Sequence, residues 1–250
     1  MSLNESQARS VLRAINAGLD IAEENWTKEG KKLTKIASDN LTFESARADS
    51  IIPGHPLVEE GKPIVDKFIS IMIDMRDSTN KLALSPVNGM TGFQRIYYET
   101  SALLPAVYVV SGFSGGVVTE YLGDGALVLH KFIDIEQARD VALSALNYVE
   151  DMRLLLNKTL YHRYELPEID IGVGVSTGPA LVTLVGYQAN LQAKAIGECV
   201  WESSKLCCGR NRVYFSQEIY NIWPSSKDGR LSFRRHSRDK LRGVQGYYLR

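Results

Sequence analysis

The chain has 250 residues, 44% of them hydrophobic and 23% charged, with 29 Lys and Arg balancing 29 Asp and Glu. That length holds one large domain, or one domain plus an extension, and buries a core without staples. Zero net charge lacks the basic excess of a nucleic-acid binder, and no apolar run approaches the ~18 residues of a membrane span.

The opening residues, MSLNESQARS, show no charged stretch followed by an apolar one, so no secretory leader is expected. Residues 4 to about 40 read as helix, with Val11, Leu12, Ile15, Leu19, Ala22 and Trp26 at three- and four-residue spacing. The next segment, SIIPGHPLVEEGKP, is punctuated by Pro53, Gly54, Pro56 and Pro63 and reads as a linker. The expected organisation is an N-terminal helical extension and linker over 1–60 and a main domain over 61–250.

The main domain opens with KFISIMIDM, a buried strand. A helical stretch follows from Ser78 to about Ser111, broken near Pro86 to Gly89. GGVVTEYL and ALVLHKF are two strands joined at Gly123-Asp124-Gly125, a strong hairpin signal. A long amphipathic helix is predicted over 134 to about 161. IDIGVGVST and PALVTLVGY read as two strands, GECVWESSKLCC as a helix, and RVYF and GYYL as short closing strands. This order predicts an α+β, ferredoxin-like fold, with a mainly antiparallel sheet and helices on one face. Cys199, Cys207 and Cys208 are odd in number, two adjacent, and not spaced as metal ligands with any histidine. They read as buried helix residues of a cytoplasmic protein. The basic residues Arg234, Arg235, Arg238, Lys240 and Arg242 read mainly as a solvated face.

Asp74 ends the first strand of the main domain, and Asp124 sits in the tip of the following hairpin. If strand and hairpin are neighbours, the two carboxylates meet at one sheet edge. Paired carboxylates hold hard divalent cations through oxygen, with phosphates supplying further ligands. Two such ions, about 3.5–4 Å apart, clamp the attacking and leaving oxygens of an in-line phosphoryl displacement. Between them the strand-to-helix turn Met75-Arg76-Asp77-Ser78-Thr79 offers backbone N–H groups to a polyphosphate. The plainer reading makes Ser78 a helix N-cap and Asp124 a turn residue. The glycine on each side of Asp124 favours the metal site.

Three blocks, FISIMIDMRDST, EYLGDGALVLHKF and IDIGVGVSTGPALVTLVG with GECVWESSKL after it, resemble the class III adenylate and guanylate cyclases. The likeness runs over roughly residues 64 to 250. It implies that Asp74, Asp124 and the backbone carbonyl of Met75 bind two divalent cations, Mn²⁺ or Mg²⁺. It implies a head-to-tail homodimer with two active sites at its interface, the metal aspartates from one protomer and the base-reading and transition-state groups from the other. The implied reaction is attack of the ribose 3′-hydroxyl on the α-phosphate, releasing pyrophosphate; the turn's own backbone reading puts Arg76, Asp77, Ser78 and Thr79 beside the substrate.

Glu120 matches the family's first base-reading position, commonly Lys in adenylate and Glu in guanylate cyclases. Lys194 matches the second, commonly Asp or Thr in the adenylate enzymes. A carboxylate beside an ammonium suits a base edge with an N–H beside a carbonyl, as in uracil or guanine; the plainer reading is an interface salt bridge. Trp201 and Lys205 stand where the family has an Asn that positions the ribose and an Arg that stabilises the transition state. Lys205 suits phosphate as a point charge, and Trp201 either stacks on a ring or packs the interface. Arg242 matches a late Lys that contacts the triphosphate. The bulky Trp201, the Glu/Lys pair and the stand-alone layout are similar to the bacterial Pycsar pyrimidine cyclases of antiphage defence. That resemblance implies cyclic UMP or cyclic CMP, with UMP fitting the Glu/Lys pair best, acting on a separate effector protein without nucleic acid or membrane as partner. The alternatives are a guanylate or adenylate cyclase, or an inactive nucleotide-sensing homologue, against which the intact Asp74 and Asp124 argue. A diguanylate cyclase would carry consecutive acidic residues where this hairpin has Gly-Asp-Gly.

Overall fold

In the computed structural model, which describes residues 2–29, 47–82, 86–186, 190–223, 233–236 and 244–249, the apolar run opening the main domain is β3 (Ile64–Met75). It lies between β5 (Gly125–Lys131) and β6 (Ile171–Val185), antiparallel to both. Beyond β5 comes β4 (Val117–Tyr121); beyond β6 come β8 (Arg212–Phe215), β10 (Gly246–Leu249) and β9 (Phe233–His236). β8 runs parallel to β6, and β7 (Gln192–Gly197) pairs with the C-terminal half of β6. This is the expected α+β architecture with a mainly antiparallel sheet.

β3 is a continuous apolar run because both of its faces are covered. Ile69, Ile71, Ile73 and Met75 face one layer, and Phe68 and Met72 face the other. The first layer holds α1 (Glu5–Glu29), α3 (Gly92–Phe113), α4 (Ile135–Ser144) and α5 (Arg153–Tyr164). The opposite face carries α6 (Glu198–Leu206), so the expected single helical face is corrected to two covered faces. Glycine makes this possible: a Cβ on Gly172 would lie 1.8 Å from the Cys207 carbonyl oxygen, and one on Gly174 2.1 Å from that of Ser203. Only bare backbone lets α6 settle on β6 this closely. Ser70 and Ser203 share a buried hydrogen bond of 2.7 Å across the contact.

Several boundaries differ from the sequence reading. The segment expected to be a linker forms a hairpin, β1 (Arg47–Ile52) and β2 (His55–Glu59), with Gly54 at φ +83° in its turn. Its Ile52 and Val58 join the second core, and His55 Nε2 contacts Asp66 Oδ2 on β3 at 2.9 Å. The Pro and Gly there punctuate a turn rather than an open linker. The helix predicted over 134–161 is α4 and α5 joined through a π-helical turn at Tyr148–Met152, which buries Tyr148, Val149 and Met152. IDIGVGVST and PALVTLVGY are one strand, β6. Unpredicted are β7, β9 and a short helix, α7 (Gln217–Asn221).

α1 packs on α3, with Val11, Ile15, Leu19 and Ala22 fully buried in the first core. A Cβ on Gly18 would lie 1.9 Å from the Ser101 carbonyl oxygen, so the helices meet at backbone contact. Positions 30–40 of the predicted first helix and the Trp26 side chain lie outside the described residues. Cys199 and Cys207 are buried and Cys208 partly so, the last two just past α6 rather than within it. Arg234 and Arg235 are exposed. No helix among the described residues is long and apolar enough to cross a membrane.

Candidate active site

Asp74 lies opposite Gly125 on β5 and Gly172 on β6. A Cβ at Gly125 would stand 2.7 Å from the Ile73 carbonyl oxygen and 3.1 Å from Asp74 Oδ1. Glycine therefore lets the hairpin lie directly against the Asp74 carboxylate. Gly123, at φ +72°, turns the tip, and the Met75 N–H donates to the Asp124 carbonyl at 3.2 Å. Asp74 and Asp124 thus sit at the same end of adjacent strands. Arg76 forms an ion pair with Asp74.

α2 (Ser78–Leu82) begins after a single left-handed residue, Asp77, with φ +60°. Ser78 is the first helical residue, one position past where an N-cap sits. Ser78 and Thr79 line a cleft of about 370 Å³ together with Asp124, Phe93, Tyr97 and Thr100. The Asp77 carboxylate is bound by Arg210, which also binds Asp170. Behind the turn, Lys81 of α2 and Arg95 of α3 share the fully buried Glu99, at 2.9 and 2.7 Å.

Glu120 and Lys194 form a 3.0 Å ion pair that ties β7 to the edge strand β4. Trp201 is 51% exposed on α6, and Lys205 Nζ lies 5.8 Å from its ring centroid. Arg242 lies outside the described residues. The structure therefore gathers Asp74, Met75, Asp124, Ser78 and Thr79 at one sheet end and pairs Glu120 with Lys194. The exposed Trp201 and the half-buried Lys205 form a separate pair. Sequence reasoning missed Arg210, Asp170, Lys81 and Glu99. Of these only Glu99 left a trace, as an acidic residue four positions after Arg95 on one helix.

No family sequence profile matches the chain, and no curated protein matches it. Solved structures do. Adenylyl cyclase CyaB from P. aeruginosa superposes with a TM-score of 0.60 at 19% identity, over 76% of this chain and 96% of that one. The guanylyl cyclase Cya2 gives 0.57 at 16% identity, over 74% and 90%. The fold is that of a class III nucleotidyl cyclase domain. The guanylate cyclase domain of RhGC from Catenaria anguillulae, solved in complex with GTP, has the same cyclase fold, with a TM-score of 0.51 at 17% identity over 76% and 98%.

The donor set at the sheet end of this cyclase fold suits hard cations: two carboxylates and a backbone carbonyl, all oxygen. Gly125 keeps the space beside Asp74 Oδ1 free of side chain. Among the described residues no group of three or more His, Cys, Asp or Glu gathers as a metal site. Further ligands would come from phosphate and water.

On α6, Glu202 is half-buried and accepts from Ser176 Oγ at 2.7 Å. Burial pushes its pKa up to about 7; Ser176 opposes the rise, and Glu218 and Glu198 add to it. The folded protein therefore keeps a proton that the unfolded chain releases, so stability falls as pH climbs from the ordinary glutamate range to about 7. Glu202→Gln is expected to remove that slope. Between pH 5 and pH 8 the wild-type Tm should drop relative to the variant, and parallel melting curves would refute the assignment.

Proposed function

We propose that the chain cyclises a nucleoside triphosphate to its 3′,5′-cyclic mononucleotide and pyrophosphate, with UTP preferred and CTP next. The observation that carries the reaction is the meeting of Asp74 and Asp124 at one sheet end, made possible by Gly125. Asp74, Asp124 and the Met75 carbonyl would hold two divalent cations, Mn²⁺ or Mg²⁺, which when bound neutralise charge on the triphosphate and the attacking oxygen. The protein's own work is positioning, because the 3′-hydroxyl is already tethered to the α-phosphate. Ser78 and Thr79 line the cleft beside Asp124 and take the phosphates.

Glu120 and Lys194 supply the base preference. They stand side by side, an acceptor and a donor 3.0 Å apart. A base that presents an N–H beside a carbonyl replaces their mutual ion pair with two hydrogen bonds. Uracil and guanine share that edge. Trp201 adds bulk on the side of the smaller base. Guanine is the second reading, favoured by Glu120 itself.

Trp201 and Lys205 face each other rather than their own metal end, so a second copy would bring them to it in a homodimer with two sites. The guanylyl cyclase domain of RhoGC has been solved both as a monomer and as a non-canonical dimer. The cyclic product would act as a second messenger on a separate effector protein, in antiphage defence.

The test is incubation of the purified protein with ATP, GTP, CTP and UTP separately, with Mn²⁺, and identification of products by mass spectrometry. Cyclic UMP is the expected product. Cyclic GMP would assign Glu120 to guanine and remove the pyrimidine reading. Absence of any cyclic product would remove the cyclase reading.

A further inference from the structure

The turn that leads from Asp74 into α2 is held from outside by one arginine. Asp77 sits in the left-handed region, φ +60°, where a residue with a Cβ stays only if its surroundings hold it. Arg210 supplies that hold, one guanidinium nitrogen on Asp77 and another on Asp170, just before β6. Asp170 is itself fixed. Its backbone carbonyl accepts the Arg76 N–H at 2.8 Å, and its carboxylate accepts the Asn211 side-chain amide at 2.5 Å. Asn211 in turn donates its N–H to the Ile171 carbonyl at 2.7 Å. Burial works to raise the Asp170 pKa, but the contacts with Asn211 and Arg210 outweigh it and hold the group below the ordinary carboxylate value. The turn, the start of β6 and the loop after α6 are therefore one hydrogen-bonded unit.

We propose that Arg210 is a positioning residue for the triphosphate turn: by bridging Asp77 to Asp170 it keeps Asp77 left-handed and so fixes the Met75 carbonyl and the Ser78–Thr79 backbone relative to Asp74 and Asp124. The inference rests on the cyclase reading. Arg210 lines no part of the cleft and contacts neither metal carboxylate; its action passes through Asp77. With its side chain 57% exposed, the bridge adds little to global stability. Its effect falls on geometry, where a misplacement of about 1 Å can cost on the order of 10²-fold in rate. Glycine adopts the left-handed conformation freely, so glycine at position 77 makes the bridge dispensable.

The experiment uses the full chain with Mn²⁺ and the triphosphate that the wild type cyclises, and compares Arg210→Ala, Asp77→Gly and the double variant. Arg210→Ala is expected to melt within about 2 °C of wild type, as an exposed substitution does. Its kcat should fall about tenfold or more, with KM changed less than about threefold. Measured against Asp77→Gly, the double variant should differ by less than about threefold in kcat, because glycine needs no clamp to stay left-handed. A wild-type kcat in Arg210→Ala, or a further loss of about tenfold when Arg210→Ala is added to Asp77→Gly, overturns the inference. A second readout needs no turnover: amide hydrogen exchange across residues 75–79 should speed up in Arg210→Ala, and unchanged exchange also overturns it. A wild type that forms no cyclic nucleotide overturns the cyclase reading instead, and exchange alone then decides the clamp.

Discussion

Asp74→Asn is expected to lower cyclic-nucleotide formation by about 10³-fold or more while the protein stays folded, because bound cations supply several kcal/mol at the transition state and each ~1.4 kcal/mol is tenfold. The substitution keeps the side-chain shape and one oxygen but removes the charge. Asp74 and Asp124 are the two carboxylates of the proposed ligand set, so losing one halves its anionic part. Arg76, which pairs with Asp74, would then face a neutral amide beside the proposed cation site. Its uncompensated charge works against cation binding. Asp124→Asn loses the same kind of ligand without freeing an arginine, so a somewhat smaller loss is expected. Melting separates binding from chemistry. Mn²⁺ with nucleotide should raise the wild-type Tm in proportion to the logarithm of ligand concentration and leave Asp74→Asn unmoved. If Asp74→Asn kept more than about a tenth of wild-type turnover, Asp74 would not be a metal ligand.

The site's carboxylates were readable because local signals fix them. The apolar run before Asp74 is long enough to be a central strand, and Gly123-Asp124-Gly125 can only turn. Once those two elements pair, Asp74 and Asp124 must meet. What the sequence hid depends on contacts between distant segments. Arg210 and Asp77 are 133 positions apart, and nothing local marks either as a partner. Pro179 reads as a strand breaker, yet β6 runs through it. It falls between the last residue paired with β8, Val175, and the first paired with β7, Ala180. A missing N–H costs nothing on that side of the strand. The hairpin at 47–59 was hidden for the opposite reason. Pro53-Gly54 is a turn signal, but the flanking strands are short, and their burial comes from the sheet beneath them, not from their own pattern. The covering of both sheet faces was also unreadable in advance. It rests on Gly172 and Gly174, whose meaning appears only when α6 is laid over them.

Glu99→Ala is expected to destabilise the fold by about 3–5 kcal/mol, because it leaves buried cations without a counter-charge. Glu99 is fully buried, and Lys81 and Arg95 are 8% and 6% exposed. Each cation holds its own carboxylate oxygen, so one side chain satisfies both. For a chain of this size such a loss lowers Tm by roughly 10 °C. Glu99→Gln keeps the volume but turns an amide N–H₂ toward one of the cations, so it should fall nearly as far. Replacing all three together by apolar residues, Lys81→Met, Arg95→Leu and Glu99→Leu, removes the stranded charges and should recover much of the Tm. The volume-conserving Glu99→Gln distinguishes a charge effect from a packing defect, since it opens no cavity and should still lose stability. The triad also has a mechanical consequence. Lys81 belongs to the five-residue α2, which follows the Asp77 turn, while Arg95 and Glu99 belong to the long α3. Loosening it should therefore slow cyclisation at temperatures well below the new Tm. A Glu99→Ala protein that loses less than about 1 kcal/mol would mean that water reaches both cations and that α2 is held by its turn and backbone contacts alone.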